Sequence, residues 1–141
     1  MVHLLDVNVL IALSDEAHDF HRRAVAWFMR DPQRAWATCP ITENGFVRIL
    51  GHSNYPAFPG GTSAARNLLD ALCSQRGHQF WADTLSIRDR LFPGRIPDSR
   101  HLTDHYLLGL AVSRKGRFVT FDRRVDAALI TGGKRALFLI P

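Results

Sequence analysis

The first apolar block of the chain is short and interrupted. Residues 3–5, HLL, lead into Asp6, after which Val7, Val9, Leu10 and Ile11 resume the apolar pattern around Asn8. A brief apolar run without alternation suits a strand buried on both faces, so a first strand is predicted over 3–5. From 18 to 30, Phe20, Ala24, Trp27 and Phe28 recur at helical spacing, and Asp31-Pro32 ends the run. Residues 35–38 (AWAT) suit a second strand. CPITENGFVRIL then reads as a helix with Pro40 in its first turn and Thr38 or Cys39 before it.

HSNYPAFPGG, 52–61, has two prolines and two glycines and is a loop. SAARNLLDALCSQ is an amphipathic helix, followed by a short strand at 79–81, and LFPGRIPDSRH is again loop. In LTDHYLLGLAVSRKGRFVTFD, Thr103 suits an N-cap, Leu107, Leu108, Ala111 and Val112 form an apolar stripe, and Gly116 suits the C-cap. RFVTF reads as a strand ending at Asp122, and ALFLI, 136–140, as the last one. Strands alternate with helices, so the expectation is one α/β domain over 1–141, with a mainly parallel sheet and helices on both faces.

In such a sheet the strands point the same way, and their C-terminal ends form the edge where ligands bind. Asp6 and Asp122 each follow a strand directly. Asp104 falls in the first turn of a crossover helix that starts at that edge, and Glu43 in the first turn of the helix after the second strand. All four acids are therefore expected at one rim. Carboxylates gathered without countercharge repel and raise one another's pKa. A hard divalent cation, Mg²⁺ or Mn²⁺, resolves that repulsion with oxygen ligands, one ion or two. Asn8 and Thr120 are placed to orient the carboxylates or waters, and Asp126, one turn beyond Asp122, is a candidate accessory acid. Asp104 and Glu43 also complement helix dipoles, and Asp122 also suits a cap on the segment RRVDAAL.

Composition narrows the partner. Lys plus Arg number 18 against 13 acids, a formal charge of +5 with an isoelectric point near 10.0. Lysine occurs only at 115 and 134, so arginine, whose donor fork suits phosphate, supplies almost all of the excess. Arg48, Arg123 and Arg124 lie near the acids in sequence and are candidate phosphate contacts. Arg88, Arg90, Arg95 and Arg100 surround the proline-containing segment 91–97. Tyr55, Phe58 and Trp81 are candidates for base stacking or for packing. His101 and His105 flank Asp104 without any HExxH pattern, and the acids are complete without them. Cys39 and Cys73 are far apart and suit free thiols in a reducing compartment. No signal-peptide pattern or membrane-length apolar run is present, which places the expectation in the cytoplasm.

LLDVNVLIAL, TENGFVRIL and LTDHYLLGLAVSRKGRFVTFD, together with the length, resemble the PIN-domain ribonucleases, specifically bacterial toxins of the VapC type. The resemblance spans essentially the whole chain. It implies a three-layer α/β/α sandwich and matches the family's acids to Asp6 (with Asn8 completing D-x-N), Glu43, Asp104 and Asp122 (with Thr120 completing T-x-D). Val7 stands where many relatives carry Thr, and RRVDAAL replaces an aromatic that often follows the fourth acid. What the resemblance implies is a Mg²⁺- or Mn²⁺-dependent endoribonuclease acting on RNA, transfer RNA among its targets. It also implies a homodimer held in check by a cognate antitoxin. Two other readings stay open on the residues alone. One is a haloacid dehalogenase-like phosphatase with Asp6 as nucleophile, although Asn8 removes the second acid of its DxD. The other is a non-catalytic RNA- or protein-binding domain of the same fold.

Overall fold

Local chemistry sets the elements before packing joins them. In the computed structural model, which describes residues 1–141, β1 (His3–Leu5) ends at Asp6, whose carboxylate accepts the backbone N–H of Val7 at 2.7 Å and caps α1 (Val7–Ser14). After α2 (His21–Met29) the chain enters β2 (Trp36–Thr38) and α3 (Pro40–Leu50). Proline begins α3, where its missing N–H costs nothing, and Thr42 closes the cap by accepting the Cys39 N–H at 3.0 Å. α4 (Thr62–Cys73) leads to β3 (His78–Phe80), and a long irregular segment precedes α5 (Leu102–Ser113). β4 (Arg117–Thr120), a 3₁₀ turn (Ala127–Leu129), α6 (Gly133–Ala136) and β5 (Leu137–Leu139) complete the chain.

The five strands form one sheet in the order β3-β2-β1-β4-β5, and every neighbouring pair is parallel. β1 lies beside β4, with Leu5 opposite Val119, so Asp6 and Asp122 leave adjacent strands at the same edge. Alternation divides the core. Leu5, Trp36 and Val119 pack with Val9, Leu10, Phe46, Leu50 and Leu69 on the face covered by α1 to α4. Leu4, Ala37 and Phe118 pack with Trp81, Leu107, Leu108, Leu110 and Ala111 of the α5 face. The result is the expected α/β/α sandwich.

Three local expectations shift. α5 begins at Leu102 after His101, so Thr103 lies inside its first turn and is not the cap. At its other end Arg114 is the C-cap and Lys115 takes the left-handed conformation (φ 56°) in place of Gly116. Gly116 is needed for close approach instead: a Cβ there would lie 2.6 Å from the carbonyl oxygen of Val2 and 2.7 Å from the Trp81 ring. The RRVDAAL segment forms only the 3₁₀ turn, capped by Asp126 and not by Asp122. No helix is long and apolar enough to cross a membrane.

Candidate active site

Asp6 is the least exposed acid of the rim, 6% accessible at the junction of β1 and α1. Its two oxygens have separate partners: Oδ1 accepts the Val7 N–H, and Oδ2 accepts the Thr120 hydroxyl at 2.6 Å. Thr120, fully buried as the last residue of β4, also accepts the backbone N–H of Asp122 at 3.1 Å. One hydroxyl thus ties together the two strand ends that carry acids. Asn8, in the first turn of α1, donates its amide to the same hydroxyl at 3.4 Å, while its Oδ1 is buried with no hydrogen-bond partner.

Asp104, in the first turn of α5, faces this pair from the other layer. Burial, followed by the negative charge of Asp104, pushes the Asp6 carboxyl up to about 7, against the lowering effect of the Thr120 and Val7 bonds. Asp104 is itself raised, first by burial and then by the charge of Asp122, with His101 and Arg124 acting in the opposite sense. Asp122 is held below the usual carboxylate range by Arg124, whose Nε and Nη2 reach its two oxygens at 3.0 and 3.1 Å. Three carboxylates share one field, and the single cation paired with them sits at the exposed side.

Glu43 lies in the first turn of α3, which follows β2, the neighbour of β1 in the sheet. Its Oε2 accepts the Thr38 hydroxyl at 2.6 Å, and its charge adds to burial in raising the Cys73 thiol and opposes the lowering of His78 by burial. The ligand atoms of Glu43, Cys73 and His78 lie within 4.8 Å of one another, a grouping able to coordinate a metal ion. Neither Cys73 nor His78 stood out in the sequence. They are separated by the turn SQRG, and only the α4–β3 connection brings them together.

The remaining candidates divide cleanly. Arg48, Arg123 and Arg124 are exposed, and Arg124 is the one joined to an acid. Asp126 lines a cleft with Arg95, Asp98, His101, His105 and Arg124, and its carboxylate accepts the Ala128 N–H at 3.1 Å. Its charge acts on His105. His105 is buried against Phe92 with its rings 5.0 Å apart. Trp81 is core, and Tyr55 donates to Asp15 at 2.6 Å, so both pack; Phe58 is exposed. Both cysteines are free thiols.

Residues 3–128 match the family model described as the PIN domain. The chain belongs to the PIN-domain family. It is 43% identical over 134 residues to Ribonuclease VapC44 of Mycobacterium tuberculosis, with 94% of each chain covered. From the same organism, Ribonuclease VapC38 is 43% identical over 122 residues (86% of each), and Ribonuclease VapC39 is 40% identical over 127 (86% of this chain and 89% of that one). This PIN domain is thus closely related to the VapC-type proteins. The crystal structure of VapBC2 from Rickettsia felis, bound to a DNA fragment from their promoter, aligns over the full length of both chains. Its TM-score is 0.60 and its identity 13%, a likeness of fold.

Proposed function

We propose that this PIN domain is a Mg²⁺- or Mn²⁺-dependent endoribonuclease, the toxin of a cytoplasmic toxin–antitoxin pair. The observation that carries the reading is the convergence of Asp6, Asp104 and Asp122 at the C-terminal edge of β1 and β4, with Thr120 joining the first to the third. The donor set suits a hard cation. It is all oxygen, Asp6 has no cationic partner of its own, and the buried Asn8 Oδ1 is unpartnered beside it. Asp6, Asp104 and Asp122 would hold the ion. Such an ion, when bound, supplies Lewis acidity toward a phosphate oxygen and makes water a better nucleophile.

The chain's own groups do the positioning. The Thr120 hydroxyl and the Val7 N–H fix the Asp6 carboxylate in one orientation, and Asn8 fixes the hydroxyl. Arg124 sets the Asp122 carboxylate while its exposed guanidinium offers charge to a phosphodiester, with Arg123 beside it and Arg48 on the surface of α3. Attack by water on phosphorus releases a ribose oxygen, which takes its proton from solvent. Asp126 contributes negative charge to the neighbouring cleft. Glu43 is the fourth acid of the proposed site, its carboxylate held by the Thr38 hydroxyl.

RNA as substrate rests on the naming of the relatives as ribonucleases and on the arginine-rich surface. Transfer RNA, a homodimer and a cognate antitoxin rest on the VapC resemblance. A phosphatase using Asp6 as nucleophile fits less well, because both of its oxygens are already engaged and buried. The test is incubation of purified protein with total RNA and with a transfer RNA pool, with Mg²⁺ or EDTA, followed by mapping of the new ends. The expected result is discrete cleavage that EDTA abolishes. Cleavage that persists in EDTA, or none in either RNA with Mg²⁺ or Mn²⁺, would overturn the reading.

A further inference from the structure

Thr38 and Thr120 hold matching places in the sheet. Each is the last residue of a strand that flanks β1, and each is fully buried. Each hydroxyl donates to a carboxylate at 2.6 Å, Thr38 to Glu43 and Thr120 to Asp6. A threonine hydroxyl has one proton, so with that proton given to the acid any further bond must be accepted. On the Thr120 side the side-chain donor is the Asn8 amide at 3.4 Å. On the Thr38 side it is His78 Nε2, closer at 2.8 Å.

The fold brings His78 to this point. Strand alternation turns Trp36 and Thr38 to one face of β2, and the parallel register sets His78 opposite Trp36. The imidazole packs on the Trp36 ring at 4.7 Å and reaches diagonally to Thr38. Gly77 permits the approach. It has φ 86°, its carbonyl accepts the Trp36 N–H at 2.9 Å, and a Cβ there would run into the carbonyl oxygen of Arg34.

We propose that His78 is a positioning residue of the nuclease site, acting through Thr38 on Glu43. The imidazole carries a proton on Nε2 and donates it to Thr38, which turns the hydroxyl proton to Glu43 Oε2. Oε2 is thereby fixed, and Oε1 is left to orient the attacking water. His78 itself touches neither RNA nor ion. Two relays of the same build, Asn8–Thr120–Asp6 and His78–Thr38–Glu43, then stand on either side of β1, and the second draws the edge strand β3 into the site. The inference rests on the reading of Glu43 as the fourth acid of a nuclease.

Two measurements test it. In the metal-free, full-length chain labelled with ¹⁵N-histidine, the His78 Hε2 proton should be protected from solvent exchange at neutral pH, and Thr38→Val should abolish that protection. On a short RNA carrying the cleavage site mapped in total RNA, His78→Leu should lower kcat at least tenfold while KM stays within twofold. His78→Gln, whose amide N–H falls near the place of Nε2, should recover most of that loss, and Thr38→Ser should do the same relative to Thr38→Val. Circular dichroism verifies the fold of each variant. An unprotected Hε2, full activity in His78→Leu, or His78→Gln as slow as His78→Leu would overturn the positioning role and leave the nuclease reading intact. A wild type that cleaves no RNA with Mg²⁺ or Mn²⁺ would overturn that reading and this role with it, even where Hε2 is protected.

Discussion

The hydroxyl of Thr120 donates to Oδ2 of Asp6 across 2.6 Å, joining the ends of β4 and β1 through residues 114 positions apart. The bond is wholly buried and favours the ionised carboxylate. Thr120→Val keeps the β-branched shape and removes the donor. The expected outcome is a loss of roughly 1–3 kcal/mol in stability, from a buried acceptor left unsatisfied. Mn²⁺ affinity should fall severalfold at neutral pH, because Asp6 becomes harder to ionise. Thermal melting and calorimetric titration check the two parts.

Asp6 should destabilise the metal-free protein. Its carboxyl is raised from 3.8 to about 7 in the folded state, chiefly by burial and then by Asp104. A raised acid favours the folded state while protonated, and that contribution is lost as pH rises from the unfolded value through the folded one. In EDTA, Asp6→Asn should therefore match the wild-type Tm near pH 4. At pH 8 it should exceed it by several degrees or more, a shift of this size corresponding to at most about 4 kcal/mol. Saturating Mg²⁺ should remove the advantage by stabilising only the wild type. Melting curves across this range, with and without Mg²⁺, decide it.

Arg124 competes for the same negative field that draws the cation. It pairs with both oxygens of Asp122 and also lowers Asp104. Arg124→Gln is expected to tighten Mn²⁺ binding about two- to fivefold, since a surface charge acts through screened solvent. RNA binding should weaken, with the salt slope reduced by about 1. Titration of each ligand over a range of salt measures the opposing shifts.

Gly116 tests the packing that presents β4. A methyl group there would lie 2.6 Å from the Val2 carbonyl and 2.7 Å from Trp81. Gly116→Ala should cost about 1–3 kcal/mol by overpacking, seen as a lower Tm. The intrinsic Mn²⁺ affinity of the folded fraction should be unchanged.

The strand ends were the most legible part of the site. An aspartate directly after an apolar run has its height along the sheet set by the strand, and parallel pairing then brings Asp6 and Asp122 together without further information. Asp104 followed because a crossover helix must begin at that edge. Cys73 and His78, whose ligand atoms lie near that of Glu43, were invisible in the sequence, since their meeting depends on the turn between α4 and β3. The ends of α5 moved because His101 precedes the helix without a side-chain cap and Lys115, not glycine, takes the left-handed turn.

The central proposal is that Asp6, Asp104 and Asp122 hold the divalent ion. Mn²⁺ titration followed by electron paramagnetic resonance on the wild type, Asp6→Asn, Asp104→Asn and Asp122→Asn tests it most directly. The account predicts saturable binding to the wild type and at least tenfold weaker binding in each aspartate variant. Wild-type affinity in Asp6→Asn and Asp104→Asn would contradict it.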